Sequence, residues 1–325
     1  MADRIRSVLA ALCLCGLAPA AHGQAPPTAA EPIGPLTLVD YTDDFDRVWT
    51  ELQTLPEAER ADEFQRRFST ILPGFYDPAR MSAIGMTPAK YREYLAKMIA
   101  SYPDQRPGIQ RVSQEFGKTF EPARLSFERE FGPMTGYPPV YLVNALGEFD
   151  GGTRSLPGGT RLMFGADMID KLYKETPVQP FFHHELFHLY HGRRFRECEP
   201  AWCSLWSEGL AVYVAASLNP GASDAALLLT SPVPLRKAVE SHRAEAICAV
   251  RSRLNSTESK DYSAMFTGGA DAISANLPGR LGYYVGYLVA QDLGRTRSLK
   301  ALAALSPTEA QPLIEASLAR MADCP

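Results

Sequence analysis

Pro180-Phe181-Phe182-His183-His184-Glu185-Leu186-Phe187-His188-Leu189-Tyr190-His191 is the stretch on which the reading of this chain turns. His184 and His188 are four positions apart, a spacing that on a helix sets them one turn above each other on the same face. Both imidazoles can then converge on one tetrahedral metal ion. Glu185 follows the first histidine and points to one side of such an ion, where a carboxylate can take a proton from an activated water. The run from His184 to His188 therefore predicts a helix carrying a hydrolytic zinc site, and it demands a third ligand.

Glu208 is the candidate for that ligand. It stands in Leu205-Trp206-Ser207-Glu208-Gly209-Leu210-Ala211-Val212-Tyr213, across a gap of nineteen residues from His188. The gap accommodates the end of one helix, a loop, and the first turns of a second helix packed back against the first. Gly209 and Ala211 remove bulk where helices must approach closely. One carboxylate and two neutral imidazoles leave zinc an open position for water.

Together the two segments resemble the gluzincin branch of zinc metallopeptidases, in which a His-Glu-x-x-His helix is followed by a ligand Glu on the next helix. The best likeness is to bacterial predicted zinc proteases that pair His-Glu-x-x-His with Glu-Gly-Leu-Ala, here Glu208-Gly209-Leu210-Ala211, and it covers roughly residues 138 to 294. The resemblance implies a zincin-like catalytic domain, Zn2+ on His184, His188 and Glu208, and Glu185 as the base. It also implies a tyrosine that steadies the oxyanion of the tetrahedral intermediate. Tyr283-Tyr284-Val285-Gly286 is similar to the Tyr-x-x-Gly segment that supplies this residue in aminopeptidase-like members, which points to Tyr283. Tyr284 is the immediate competitor, and interfacial packing of the tyrosines is the plain alternative. The chain departs from the aminopeptidases in lacking their Gly-x-Met-Glu-Asn segment, and from the thermolysin-like group in having Val212 where an acidic residue stands one turn beyond the ligand Glu. His191 shares the ligand face and is expected behind the ligands or facing substrate. His183 is expected in packing or at the surface, and His242 is expected to be exposed.

The remainder of the chain sets the context. Its 325 residues allow one large domain or two smaller ones. With 33 basic against 37 acidic side chains and no long block of either sign, neither a nucleic-acid surface nor a polybasic membrane patch is expected. Arg4 and Arg6 followed by the apolar run Ser7 to Ala20 and by Ala21-His22-Gly23 read as a secretory signal over 1–23. An Ala- and Pro-rich leader over 24–36 follows, and no membrane span is expected after signal cleavage. Export leaves Cys198, Cys203, Cys248 and Cys324 in an oxidising compartment. Of the three pairings these allow, a local Cys198–Cys203 clip and a Cys248–Cys324 tie on the C-terminal tail are preferred.

Periodicity predicts an α+β, mostly helical fold with a helical N-terminal region over 37–135; over 136–325 the resemblance implies a gluzincin-like peptidase domain with a helical C-terminal part. Helices are expected through Phe45 to Leu55, around Phe64 to Leu72, and over 88–101, 108–131, 201–218, 233–254, 279–294 and 307–321. A small antiparallel sheet is expected before the motif helix, from Val140-Tyr141-Leu142-Val143 and Arg161-Leu162-Met163-Phe164. The Gly-rich segment from Gly151 to Phe164 resembles the loop and edge strand that precede the motif helix in zincins. The functional expectation is a periplasmic or secreted zinc endopeptidase acting on a peptide or protein substrate. An aminopeptidase and a non-catalytic zinc-binding envelope protein are the alternatives.

Overall fold

A computed structural model describes residues 34–82, 85–196, 198–267 and 273–324; the expected signal peptide and most of the leader lie outside the described residues. In chain order the elements are β1 (Leu38–Asp40), α1 (Thr42–Leu52), α2 (Glu57–Ile71), α3 (Pro78–Ser82), α4 (Pro88–Phe131), β2 (Val140–Val143), β3 (Gly151–Leu156), β4 (Gly159–Gly165), α5 (Ala166–Tyr173), α6 (Gln179–His191) and α7 (Ala201–Leu218). They continue with α8 (Leu235–Ser241), α9 (Arg243–Arg251), α10 (Ser259–Phe266), α11 (Gly282–Gly294), α12 (Leu299–Ala303) and α13 (Pro307–Met321). The class is α+β and mostly helical, as the periodicity predicts.

Two compact units divide the chain. One gathers the described part of Cys15–Lys118 with Met134–Lys174; the other gathers Thr119–Pro133 with Glu175–Pro325. The sheet thus groups with the N-terminal helices, while the motif helix α6 groups with the C-terminal ones.

In the first unit, α1, α2 and α4 meet through aromatic rings, with Phe45 at 5.1 Å from Phe64 and 4.8 Å from Tyr102 between centroids. Where sequence reading breaks the chain into helices over 88–101 and 108–131, α4 runs unbroken through Pro103 and Pro107. Proline lacks the N–H that would bond the carbonyl four residues back. For Pro103 that carbonyl is Ile99 O, and the Trp49 indole N–H donates to it instead at 2.9 Å. A tertiary contact invisible in local sequence therefore replaces the bond that proline removes.

The sheet has the order β1-β2-β4-β3. It is mixed, which corrects the expectation of an antiparallel sheet: β1 with β2 and β2 with β4 are parallel, and only β3 with β4 is antiparallel. Leu156 pairs with Gly159 across a tight Pro157-Gly158 turn, and the glycines at 158 and 159 adopt φ of +93° and +109°. The chain leaving β2 places β3 beyond β4, so β4 returns parallel to β2 as an interior strand. The edge position falls to β3.

The second unit is built around α7, which is apolar on every side and almost wholly buried, as a core helix must be. The helix expected over 233–254 is two, α8 and α9, broken at His242. Both preferred disulfides are present: Cys198–Cys203 closes the loop before α7, and Cys248–Cys324 ties the chain end to α9. They point to an oxidising, non-cytoplasmic setting. No helix among the described residues is long and apolar enough to cross a membrane.

The two crosslinks differ in what they restrain. Their sequence separations are 76 for Cys248–Cys324 and 5 for Cys198–Cys203. By chain entropy the long loop contributes about 4 kcal/mol and the short one about 2 kcal/mol. Denaturant unfolding of the two double-serine variants is expected to show that ranking, and equal losses would refute the entropic basis.

Candidate metal centre

α6 begins with Pro180 in its first turn, where a missing N–H costs nothing, and ends at Gly192, whose N–H donates to His188 O at 2.9 Å. α7 begins after Pro200, and its first amides are taken by the connection between α9 and α10: Ala201 N–H donates to Ser256 O and Trp202 N–H to Leu254 O, each at 2.9 Å. These two helices carry the candidate ligands.

His184, His188 and Glu208 form a group that could hold a metal ion, their ligand atoms all lying within 4.8 Å of one another. The two Nε2 atoms are 2.9 Å apart, and Glu208 Oε2 stands 3.3 Å from each. Three atoms on a tetrahedral zinc at 2.0–2.1 Å are about 3.3 Å apart, so the triangle has the size of a ligand set. Its polar chemistry agrees. Glu208 Oε2 is buried and makes no hydrogen bond despite facing two imidazole nitrogens, a costly arrangement unless a cation sits between them.

The charges make the same point. Burial opposes charge on His184, and the neighbouring His188 adds to this, pushing its imidazole down to about 4. Burial also opposes charge on His188, but the Glu208 carboxylate, helped by Glu185, more than offsets it and pushes that ring up to about 9. Glu208 is held well below the usual carboxylate range because the two histidines outweigh its own burial. His188 and Glu208 thus favour each other's charged forms.

Around this group the structure sorts the other expected residues. Glu185 is buried, and its charge is close enough to His188 to favour the protonated ring. Tyr283, in the first turn of α11, stacks its ring on His184 with centroids 6.2 Å apart and an interplanar angle of 15°. His184 Nδ1 has no hydrogen-bond partner among the described residues, so ring packing rather than a second hydrogen bond orients this imidazole. Tyr284 is engaged elsewhere: its hydroxyl donates to Glu240 at 2.7 Å and accepts from Arg236 at 3.3 Å. Tyr287 accepts from Gln291 at 3.0 Å. Arg280, absent from the sequence reading, lies buried with its guanidinium 4.2 Å from the Tyr283 ring centroid. An arginine three residues before a tyrosine carries no signal until the fold stacks them.

Gly209 does make a close helix approach, but to α11. A Cβ there would stand 2.5 Å from Gly286 O and closer still to Gly286 Cα. His242 is exposed, 3.7 Å from Glu245.

His191 lies outside the candidate ligand group. It is sandwiched between Phe187 and Phe195, at 5.0 and 4.8 Å between centroids, and its Nε2 is buried without a hydrogen-bond partner. Burial, then the nearby His188 and Arg194, push it down to about 3. An unfolded histidine protonates near 6.5. Below that pH the unfolded chain takes up a proton the folded chain refuses, so stability falls as pH drops from about 6.5 towards 3, by on the order of 5 kcal/mol. In metal-free protein, His191→Phe is expected to remove one proton's worth of this slope in urea titrations. An unchanged slope would show that His191 titrates normally in the fold.

Comparison of the chain with protein-family models, curated proteins and solved structures finds no match.

Proposed function

We propose that the protein is an exported, periplasmic or secreted zinc peptidase of the gluzincin type, cleaving peptide or protein substrates internally. The observation that carries this reading is the buried His184, His188 and Glu208 triangle, drawn to the size of a zinc ligand set, with Glu185 beside it. A bound zinc would supply Lewis acidity, polarising the scissile carbonyl and acidifying a coordinated water. Glu185 takes the proton of the attacking water and passes it to the leaving amine, which lets one carboxylate serve both halves of the reaction. Tyr283 donates its hydroxyl to the carbonyl oxygen as negative charge develops there. Its ring, stacked on His184, ties the donor to a ligand and limits drift between them.

The test combines metal content with digestion of a mixed peptide library, with and without chelator. Expected are equimolar zinc, release of internal fragments, loss of cleavage on chelation and recovery with added zinc. Trimming of single residues would make the enzyme an aminopeptidase. Zinc-loaded protein inert towards every peptide would favour a non-catalytic zinc protein. Within the same assay Tyr283→Phe is expected to lower kcat by about 10²-fold with zinc retained, and Tyr284→Phe to stay near wild type. The reverse order would move the donor role to Tyr284.

A further inference from the structure

His183 precedes the first candidate ligand and is buried, yet it faces no metal group. Its two ring nitrogens join three helical segments instead. On one side Asn219, just past the end of α7, donates its amide to His183 Nδ1 at 2.7 Å and also to Ala215 O at 2.7 Å. Both amide hydrogens are thereby spent, so Nδ1 is the acceptor and the ring hydrogen sits on Nε2. On the other side Nε2 donates to Ala123 O at 3.1 Å and lies 2.6 Å from Ser126 Oγ, both on α4. Ser126 closes the ring of contacts by donating to Ala123 O at 2.9 Å.

The placement of this knot matters more than its strength. α6 and α7 run antiparallel, one bringing His184 and His188, the other Glu208. At the end where the chain passes from α6 to α7, Phe195 packs on Trp202 at 5.9 Å and the Cys198–Cys203 bridge closes the connecting loop. At the opposite end His183 and Asn219 tie the two ligand helices together. The ligand triangle lies between these ties, and sliding or rotation of α6 against α7 would change its edges directly.

We propose that His183, with Asn219, is a positioning residue for the metal: it locks the register of the two ligand helices and so sets the spacing of His184, His188 and Glu208. This rests on the metal reading given above. A metal site with its ligands held in place loses less order on binding, and removal of such supporting contacts typically weakens affinity by about 10–100-fold.

The experiment measures zinc affinity by competition with a chromophoric chelator, and the visible absorption of the cobalt-loaded protein, for wild type, His183→Phe, His183→Gln and Asn219→Ala. Ser317→Ala serves as the stability control, since it removes the part-buried hydrogen bond that Ser317 donates to Asp292 at 2.8 Å elsewhere in the same unit. Expected are a loss of about 10–100-fold in zinc affinity and altered cobalt bands for His183→Phe and Asn219→Ala, and partial recovery in His183→Gln, which keeps the donor to Ala123 O. The control should unfold more easily with zinc affinity unchanged. If His183→Phe does not fold, Asn219→Ala, at the solvent-reachable end of α7, carries the comparison. Wild-type affinity and cobalt bands in these variants would overturn the clamp alone. Failure of the wild type to bind either ion would overturn the metal reading, and the clamp with it.

Discussion

Glu185→Gln is expected to abolish peptide hydrolysis while leaving zinc in place. The carboxylate is buried on α6, in the turn that joins His184 to His188, and its charge already favours a proton on His188. Glutamine keeps the size and shape of the side chain, so packing and the three ligands are undisturbed. What it loses is basicity, and with it the acceptor for the proton of the attacking water and the donor to the leaving amine. Loss of a positioned acid–base group costs about 10²–10⁴-fold in rate, and one residue serving both proton transfers puts the expectation at the upper end. Zinc content by elemental analysis and turnover of the best library peptide give the two numbers needed. Zinc retained with activity gone supports the hydrolytic reading. Activity retained would mean another base, and activity absent from both proteins would leave zinc without catalysis.

How far this site could be read from residues alone differs from group to group. His184 and His188 were legible because helical spacing is local, and Glu208 because a second helix had room to form and return within the gap. The disulfide partners matched the preferred one of three possible pairings, which even number and export narrowed but could not fix. Tyr283 and Tyr284 could not be separated by sequence, since neighbours in a helix face different ways and only packing shows which meets His184. His183 lay in packing as expected, but its partners were hidden for a related reason: Ala123, Ser126 and Asn219 lie far along the chain on either side. The continuity of α4 through Pro103 depended on Trp49 supplying a distant donor. The sheet's parallel pairings depended on where a short connection carried β3. In each case the missing information was a long-range contact, which periodicity does not encode.

Gly286→Ala is expected to destabilise the protein strongly, against what helix propensity alone dictates. Alanine in place of a mid-helix glycine ordinarily gains about 0.5–1 kcal/mol. In α11, however, a Cβ at 286 would stand 2.8 Å from Gly209 Cα, 3.2 Å from Gly209 N, and nearer still to Leu205 O. These are backbone atoms of α7, which cannot rotate aside as a side chain can, so the two helices would have to separate. Overpacking of this kind costs about 1–3 kcal/mol and sometimes more, and a rigid backbone contact belongs at the high end. Gly117 in α4 provides the control, because a Cβ there meets nothing within 4 Å. Gly117→Ala is expected to raise the urea midpoint and Gly286→Ala to lower it, a difference in sign that no general effect of alanine explains. The separation also reaches the site, since Glu208 adjoins Gly209 on α7 and Tyr283 lies one turn before Gly286 on α11. Zinc affinity and turnover are therefore expected to fall together in Gly286→Ala and to be unaffected in Gly117→Ala. Stabilisation by Gly286→Ala would mean that α7 and α11 do not touch backbone to backbone, and the placement of Tyr283 against His184 would fall with that contact.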